Sequence, residues 1–345
     1  MRIKDIAKIA GVSRSTVSRV VNNYSSVSKE TRENVMKIIK KHGYVPHASA
    51  RILAGKSNKM IGVFITNIKH NSKEFTIFGN TYFSPLIAAI IDCASILKYN
   101  VLVLIIDKKS DFEKARQLFY SNTISGGIFV GANNRVPKIY KLIKSGYKLA
   151  IFDQEKKDDK LSDDYIIVNS NNLNGAYKAV RHLIDFGHER IAHICGDIKK
   201  YSGFKRLEGY KKAMNEAGLP IKEGYIVEGD FTEDSGFNKA KQLLTNNNNI
   251  TAIFSSNDSM AIGAMKAIKK MGLKIPDDIS IIGYDDINIA KYTTPSLTTI
   301  DSHILKMASI ATENLISFIK TGINPCNYYN IQTKLIIRES TKKIR

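Results

Sequence analysis

The sequence predicts an all-α helix-turn-helix head, joined by a short hinge to a two-lobed α/β body with one parallel sheet in each lobe. Three observations carry that expectation. Two short amphipathic patterns flank Gly11 near the start of the chain. From Met60 onward, eight short apolar runs alternate with helical stretches. Positive charge is concentrated at one end: residues 1–57 hold 12 Lys+Arg against 3 Asp+Glu, a net of +9 out of the +20 of the whole chain.

A length of 345 residues exceeds what one ordinary core supports, so two or three domains are expected. With 43% hydrophobic and 24% charged residues, the composition is that of a soluble globular protein. No apolar run reaches the roughly 18 residues of a membrane span. The polar first residues lack the apolar core of a signal peptide, so a cytoplasmic location away from membranes is expected. Cys93, Cys195 and Cys326 lie far apart and form no CxxC pair, which fits a reducing compartment. The basic balance favours a polyanionic partner, and its clustering assigns that partner to the head.

In the head, a first helix is predicted from Lys4 to Ala10, with Ile6, Ala7 and Ala10 on its apolar face. Gly11 suits the sharp turn, because glycine takes positive φ without a Cβ penalty. Val12 then plugs the space between helices. Ser13 is the expected N-cap of the second helix, with Val17, Val20 and Val21 facing inward. The opposite face shows Arg14, Ser15, Ser18, Arg19 and Asn22, nearly all hydrogen-bonding side chains. A helix in the major groove reads base edges mainly with its first two turns, so Arg14 and Ser15 are the expected readers, with Arg19 next. Ser28 caps a third helix running to about Lys41, closed by Gly43. A plain amphipathic three-helix unit is the competing reading. The order AGVS, TVSRVVN, a capped helix, Pro46 and ARILAG carries more detail than that reading needs.

The body runs are MIGVFIT, VLVLII, GGIFVG, KLAIFD, YIIVN, RIAHICG, TAIFSS and ISIIGY, with helical stretches such as SPLIAAIIDCASILKY and NDSMAIGAMKAIKKMG between them. Short, nearly all-apolar strands separated by helices indicate parallel sheets covered on both faces. Eight strands exceed one half-unit, so two lobes are expected, divided near residues 156–164 (KKDDKLSDD). Open α/β sheets place ligands at the carboxyl ends of their strands. Asp153 ends KLAIFD, Asn257 follows TAIFSS and Asp285 follows ISIIGY. Arg206 opens the RLEGY helix, Phe231 lies in EGDFTED, and Tyr82 and Phe83 precede the first-lobe helix. Carboxylates, an amide and an arginine over an aromatic floor make a polyol-binding set. Asp258 and Asp286 read equally well as a helix cap and a buttress.

The competing class is an enzyme carrying a fused DNA module. Asp285-Asp286 hints at a metal, but no His or Cys ligand spacing accompanies it. The 7 histidines form no HxH or HExxH, and neither GxSxG nor GxxxxGK[ST] occurs. No catalytic residue, metal or cofactor is therefore expected, and His188 of GHER reads as structural.

Through IKDIAKIAGVSRSTVSRVVN, VSKETRENVMKIIKKHGYVP and ARILAG the chain resembles the lac repressor/galactose repressor family of bacterial transcription regulators. The likeness continues in the body through FDQ, GHERIAHICG, RLEGYKKAM, SSNDSMAIGAMKAI, IIGYDDINIAKYTTPSLTTI and IIRES, and so covers almost the whole chain. Two positions depart from the family pattern: Arg2 replaces a capping threonine, and His47 replaces an asparagine after Pro46. The resemblance implies DNA contacts from Lys4, Ser13, Arg14, Ser15, Ser18, Arg19, Asn22, Tyr44, His47 and Ala50. It also implies a hinge helix that folds only beside its dimer mate on DNA, with Leu53 wedged into the minor groove. The hinge sequence suits this, being too short for a stable lone helix.

The resemblance further implies a periplasmic-binding-protein-like body in which the chain crosses between lobes. The expected organisation is a head over 1–46, a hinge over 47–57 and a body over 58–345. Within the body, the first lobe is expected at about 58–160 plus 290–320, and the second at about 161–289 plus 321–340. Tyr82, Phe83, Asp153, Arg206, Phe231, Asn257 and Asp285 are the implied effector contacts. The implied function is a DNA-binding repressor of carbohydrate-related genes, controlled by a sugar or sugar phosphate. A purine-type corepressor, or a phosphoprotein partner, is the alternative. One head reads one half-site, so a homodimer on a near-palindromic operator is expected. Tetramers of the family use an added C-terminal heptad segment, and the tail IIRESTKKIR contains none.

Overall fold

The structure, a computed structural model, describes residues 3–21, 24, 26–42, 58–66, 77, 80–156, 162–247 and 249–344. The head holds α1 (Ile3–Ala10), α2 (Arg14–Val21) and α3 (Lys29–Lys41). Ile6, Ala7, Ala10, Val17, Val20 and Val35 form its core, with Val12 and Val21 packed against them. The sequence explains each boundary. Gly11 has φ +66, and Val12 N–H donates back to Ala7 O at 3.0 Å to close the turn. Ser13 Oγ accepts from Thr16 N–H at 3.0 Å, and Ser28 Oγ accepts from Thr31 N–H at 3.3 Å. Both predicted caps are thus in place, each satisfying a backbone donor that the helix leaves over. Asn22, Tyr44, His47, Ala50 and Leu53, and with them the whole hinge, lie outside the described residues.

The first lobe is built on a six-stranded sheet of order β11-β5-β4-β3-β1-β2. Its strands are β1 (Met60–Thr66), β2 (Asn100–Ile106), β3 (Gly126–Val130), β4 (Leu149–Phe152), β5 (Tyr165–Ser170) and β11 (Tyr328–Ile331). All of its pairings are parallel. One face is covered by α4 (Phe83–Ile96) and α11 (Ile304–Thr321). The other is covered by α5 (Lys109–Tyr120) and α6 (Pro137–Lys144). Every residue of β3, β4 and β5 is buried, as expected for strands covered on both faces.

The second lobe has a four-stranded parallel sheet of order β7-β6-β8-β9, from β6 (Ile191–Cys195), β7 (Ile226–Glu228), β8 (Ala252–Ser255) and β9 (Ser280–Ile282). On one face lie α9 (Glu233–Asn246) and α10 (Asp258–Lys270); on the other lie α7 (Asn172–Asp185) and α8 (Tyr201–Glu216). A short antiparallel pair, β10 (Thr299–Asp301) with β12 (Lys334–Ile336), packs against the α7 side. The tail joins this lobe: Ile281 N–H donates to Ser340 O and Ile344 N–H to Phe186 O. His188 is structural, bonding Thr251 Oγ1 at 3.1 Å and Lys342 O at 3.0 Å.

The expected lobe boundaries need correction. β5 belongs to the first sheet, paired in parallel with β4, so the strands on either side of 156–164 share one lobe and the chain first crosses after Ser170. The return crossing lies between β10 and α11, so residues 290–303 stay with the second lobe and only the helix after them enters the first. β11, expected in the second lobe, adds the outermost strand beside β5. An all-apolar run fixes that a strand is buried but not which sheet receives it.

Candidate functional site

The carboxyl ends of both sheets face one cleft, as the strand-end rule requires. A cavity of about 90 Å³ there is lined by Tyr82, Phe83, Asp153, Arg206, Phe231, Asn257 and Asp285, together with Asn80, Gly131, Lys200, Ser202 and Ser259. By the same measure one water needs roughly 10–15 Å³, so the space suits a compact polar solute rather than a single solvent molecule. All seven residues expected from the sequence are therefore brought together. Asn80 before α4, Ser202 in α8 and Ser259 in α10 were not expected, because a polar residue at a helix start reads as ordinary solvated surface. For Ser202 the available signal was its place soon after β6, at a strand's carboxyl end.

Backbone strain is concentrated here. Asp153, Phe231 and Asp285 have φ of +56, +70 and +111, a region that side chains with a Cβ rarely enter. Asn257 holds one of them in place. Its Oδ1 caps α10 by accepting from Met260 N–H at 3.0 Å, and its Nδ2 donates to Phe231 O at 3.0 Å. The Phe231 ring then lies over Gly196, where a Cβ would meet it at 2.1 Å. Tyr82 stands edge-on to Phe83, with ring centroids 5.4 Å apart, forming the aromatic wall of the first lobe.

Arg206 is the best connected residue of the cleft. It sits in the second turn of α8 rather than opening it, since the helix begins at Tyr201 after Lys200, whose side chain makes no capping bond to mark the start. Its Nε donates to Asn172 Oδ1 at 2.8 Å, one Nη to Ser256 O, and the other to Asp285 Oδ1 at 3.2 Å. The guanidinium lies 3.6 Å from the centroid of the Tyr284 ring, a cation–π contact away from water. Burial pushes the Asp285 carboxyl up to about 6, while Arg206 restrains the rise. Burial works against the charge on Arg206, yet Asp285, Tyr284 and Asp153 hold its pKa above the ordinary value. Burial lowers that of Lys200, whose ammonium lies 5.5 Å over the Phe231 ring. Burial also raises the Tyr82 hydroxyl well above its ordinary value, keeping it a neutral donor. Asp258 and Asp286 stay out of the cavity. Asp258 accepts from Ile287 N–H at 2.9 Å and from Thr299 Oγ1, and Asp286 pairs with Arg338 at 2.6 Å.

On the head, Lys4, Arg14, Ser15 and Arg19 are exposed and Ser18 is half-buried. Ser13 Oγ serves the helix cap and also meets Ser15 Oγ at 2.6 Å and Thr16 Oγ1 at 2.9 Å. Among the described residues, no group of three or more His, Cys, Asp or Glu side chains is placed to hold a metal. Among the same residues, no helix is long and apolar enough to cross a membrane.

A helix-turn-helix head on a two-lobed cleft domain defines a class of two-domain transcription regulators. A model of bacterial regulatory proteins of the lacI family matches residues 2–47, and a periplasmic binding protein-like domain matches residues 180–341. The chain is 32% identical to the probable HTH-type transcriptional repressor ExuR of Bacillus subtilis, over 99% of this chain and 98% of that protein. It is 33% identical to the HTH-type transcriptional repressor PurR of Haemophilus influenzae, over 99% of both. The lac repressor dimer bound to operator and the anti-inducer ONPF superposes with a TM-score of 0.81 at 28% identity, covering 99% of both chains. The chain belongs to the lacI family of bacterial regulatory proteins and is a DNA-binding transcription regulator.

Proposed function

We propose that this regulator is a cytoplasmic homodimer that represses carbohydrate-related genes and takes its signal from a sugar or sugar phosphate in the inter-lobe cleft. The single observation behind the ligand class is the convergence of Asp153, Arg206 and Asp285 on one cavity walled by Tyr82, Phe83 and Phe231. Hydroxyl groups need paired donors and acceptors, and an aromatic wall suits the apolar face of a sugar ring. The near-palindromic operator would be read by Arg14 and Ser15 of each protomer, with Arg19, Ser18 and Asn22 beside them. Lys4, Ser13, Tyr44, His47 and Ala50 would hold the backbone and hinge, and Leu53 would wedge the minor groove. A second reading, a flat heterocycle of the purine kind acting as corepressor, is favoured by the Lys200 ammonium poised over Phe231.

Thermal-shift screening of the full-length chain against sugars, sugar phosphates and purines separates the two readings. A ligand of the cleft at 100 times its Kd should add about 2.7 kcal/mol to stability. Stabilisation by sugars supports the first reading, and stabilisation by purines alone replaces it with the second. A shift that persists in Arg206→Ala moves the ligand elsewhere.

A further inference from the structure

Three stretches carry the chain between lobes: Ser170–Asn172 after β5, Asp301–Ile304 between β10 and α11, and Ile331–Lys334 between β11 and β12. The ion pair of the cleft is bonded to the first of them and lies against the second. Arg206 Nε donates to Asn172 Oδ1 at 2.8 Å, at the end of the first crossing. The same guanidinium lies on the Tyr284 ring, whose hydroxyl lies beside Ser170. That hydroxyl also presses on α7 at Gly175, where a Cβ would meet it at 2.5 Å. On the other side, Asp285 N–H donates to Ile300 O at 2.7 Å, and the Asp285 carboxylate lies beside Ser302 in the second crossing. The third crossing is held by the first through Asn171 N–H to Ile331 O at 2.8 Å, and by α7 through Lys178 Nζ to Thr333 O at 3.0 Å.

We propose that the Arg206–Asp285 pair is a clasp between the first two crossings, and that Tyr284, Asn172 and Ser302 transmit a ligand's competition for that pair to the hinge. The inference rests on the cleft being the effector site. Three of the five N–H donors of Arg206 are already committed, so a ligand acting on Asp285 weakens a bond the hinge depends on. Coupling requires an element whose arrangement both sites bias, and the crossings are the element that both lobes share. None of Ser170, Asn172, Tyr284 or Ser302 lines the cavity, so response is separable from binding.

The test begins with the ligand-free, full-length protein, by hydrogen exchange read by mass spectrometry. Asp285→Asn should speed exchange about tenfold at both Ser170–Asn172 and Asp301–Ile304, with β3 and β4 unchanged. Unchanged exchange at Ser170–Asn172 overturns the clasp. Tyr284→Phe and Ser302→Ala remove one hydroxyl each and serve if Asp285→Asn does not fold. The second arm uses a sugar that stabilises the wild type in the thermal-shift screen. Each hydroxyl variant should keep the Kd for that sugar within about threefold, while the sugar-induced change in operator affinity shrinks about tenfold. Variants that respond as wild type overturn the proposal, and so do variants that lose sugar binding. If the wild type binds the sugar without any operator response, the functional reading fails, and the exchange arm still decides the clasp.

Discussion

On the head, Arg14, Ser15 and Arg19 stand exposed on α2, whereas in the cleft Arg206 and Asp285 are each 5% exposed and bonded to one another. An exposed arginine keeps its water and gives up little when removed, so its value lies in a partner outside the chain. A buried arginine has exchanged water for Asn172, Ser256 and Asp285, so its removal is felt by the fold as well as by a ligand. The same side chain therefore predicts two different experiments in the two regions.

The largest effect is expected in the cleft. Arg206→Ala leaves Asp285 buried without its cation and should destabilise the body by about 3–5 kcal/mol in denaturant titrations, with loss of the effector response. Operator binding by the folded fraction should persist, because the head is untouched. Unaltered stability would show that the pair is solvated and would erase the contrast. In the head, Arg14→Ala should weaken the best operator by roughly 1–3 kcal/mol and relax preference at one position per half-site, without a change in melting temperature. Lys4→Ala should instead weaken all sequences alike and flatten the salt dependence. Binding to a library of duplexes measures both, and an Arg14 variant with unchanged sequence preference removes its reading role.

A third expectation follows from the Asp285 carboxyl, pushed up to about 6 by burial with Arg206 as restraint. The folded state holds this proton more tightly than the unfolded chain. The group's contribution to stability is therefore favourable at low pH and declines as pH rises from the ordinary carboxylate range to about 6. Asp285→Asn removes that contribution, so its stability relative to wild type should climb across the same window. Effector affinity should run the other way if the ionised carboxylate accepts the ligand's hydroxyls, falling about tenfold per pH unit below the folded pKa. Calorimetry at pH 7 and pH 5 reads this, and a flat profile argues against a carboxylate acceptor. The smallest effect is local. Ser28→Ala removes the cap of α3 and should cost about 1 kcal/mol of head stability, measured by circular dichroism.

The head was nearly complete in the sequence because its signals are local: a glycine turn, two serine caps and an apolar face repeat within a few residues. The seven cleft residues were also legible, since strand ends and polar residues beside them are visible in one dimension. Strand partnership was not. β5 is buried along its whole length and would read the same in either sheet; its parallel pairing with β4 is a tertiary fact. β11 escaped notice because YYNI is short and half-polar. Asn80, Ser202 and Ser259 also escaped, since nothing in their local sequence separates a cleft-lining polar side chain from a solvated one.

The central claim is that occupation of the cleft alters reading by the head. Fluorescence anisotropy of the full-length chain on an operator selected from random duplexes, with and without a cleft-binding sugar, tests it most directly. The account predicts a change in operator affinity of at least about fivefold on adding the sugar, lost in Asp285→Ala. An operator affinity indifferent to a sugar that demonstrably fills the cleft would contradict it.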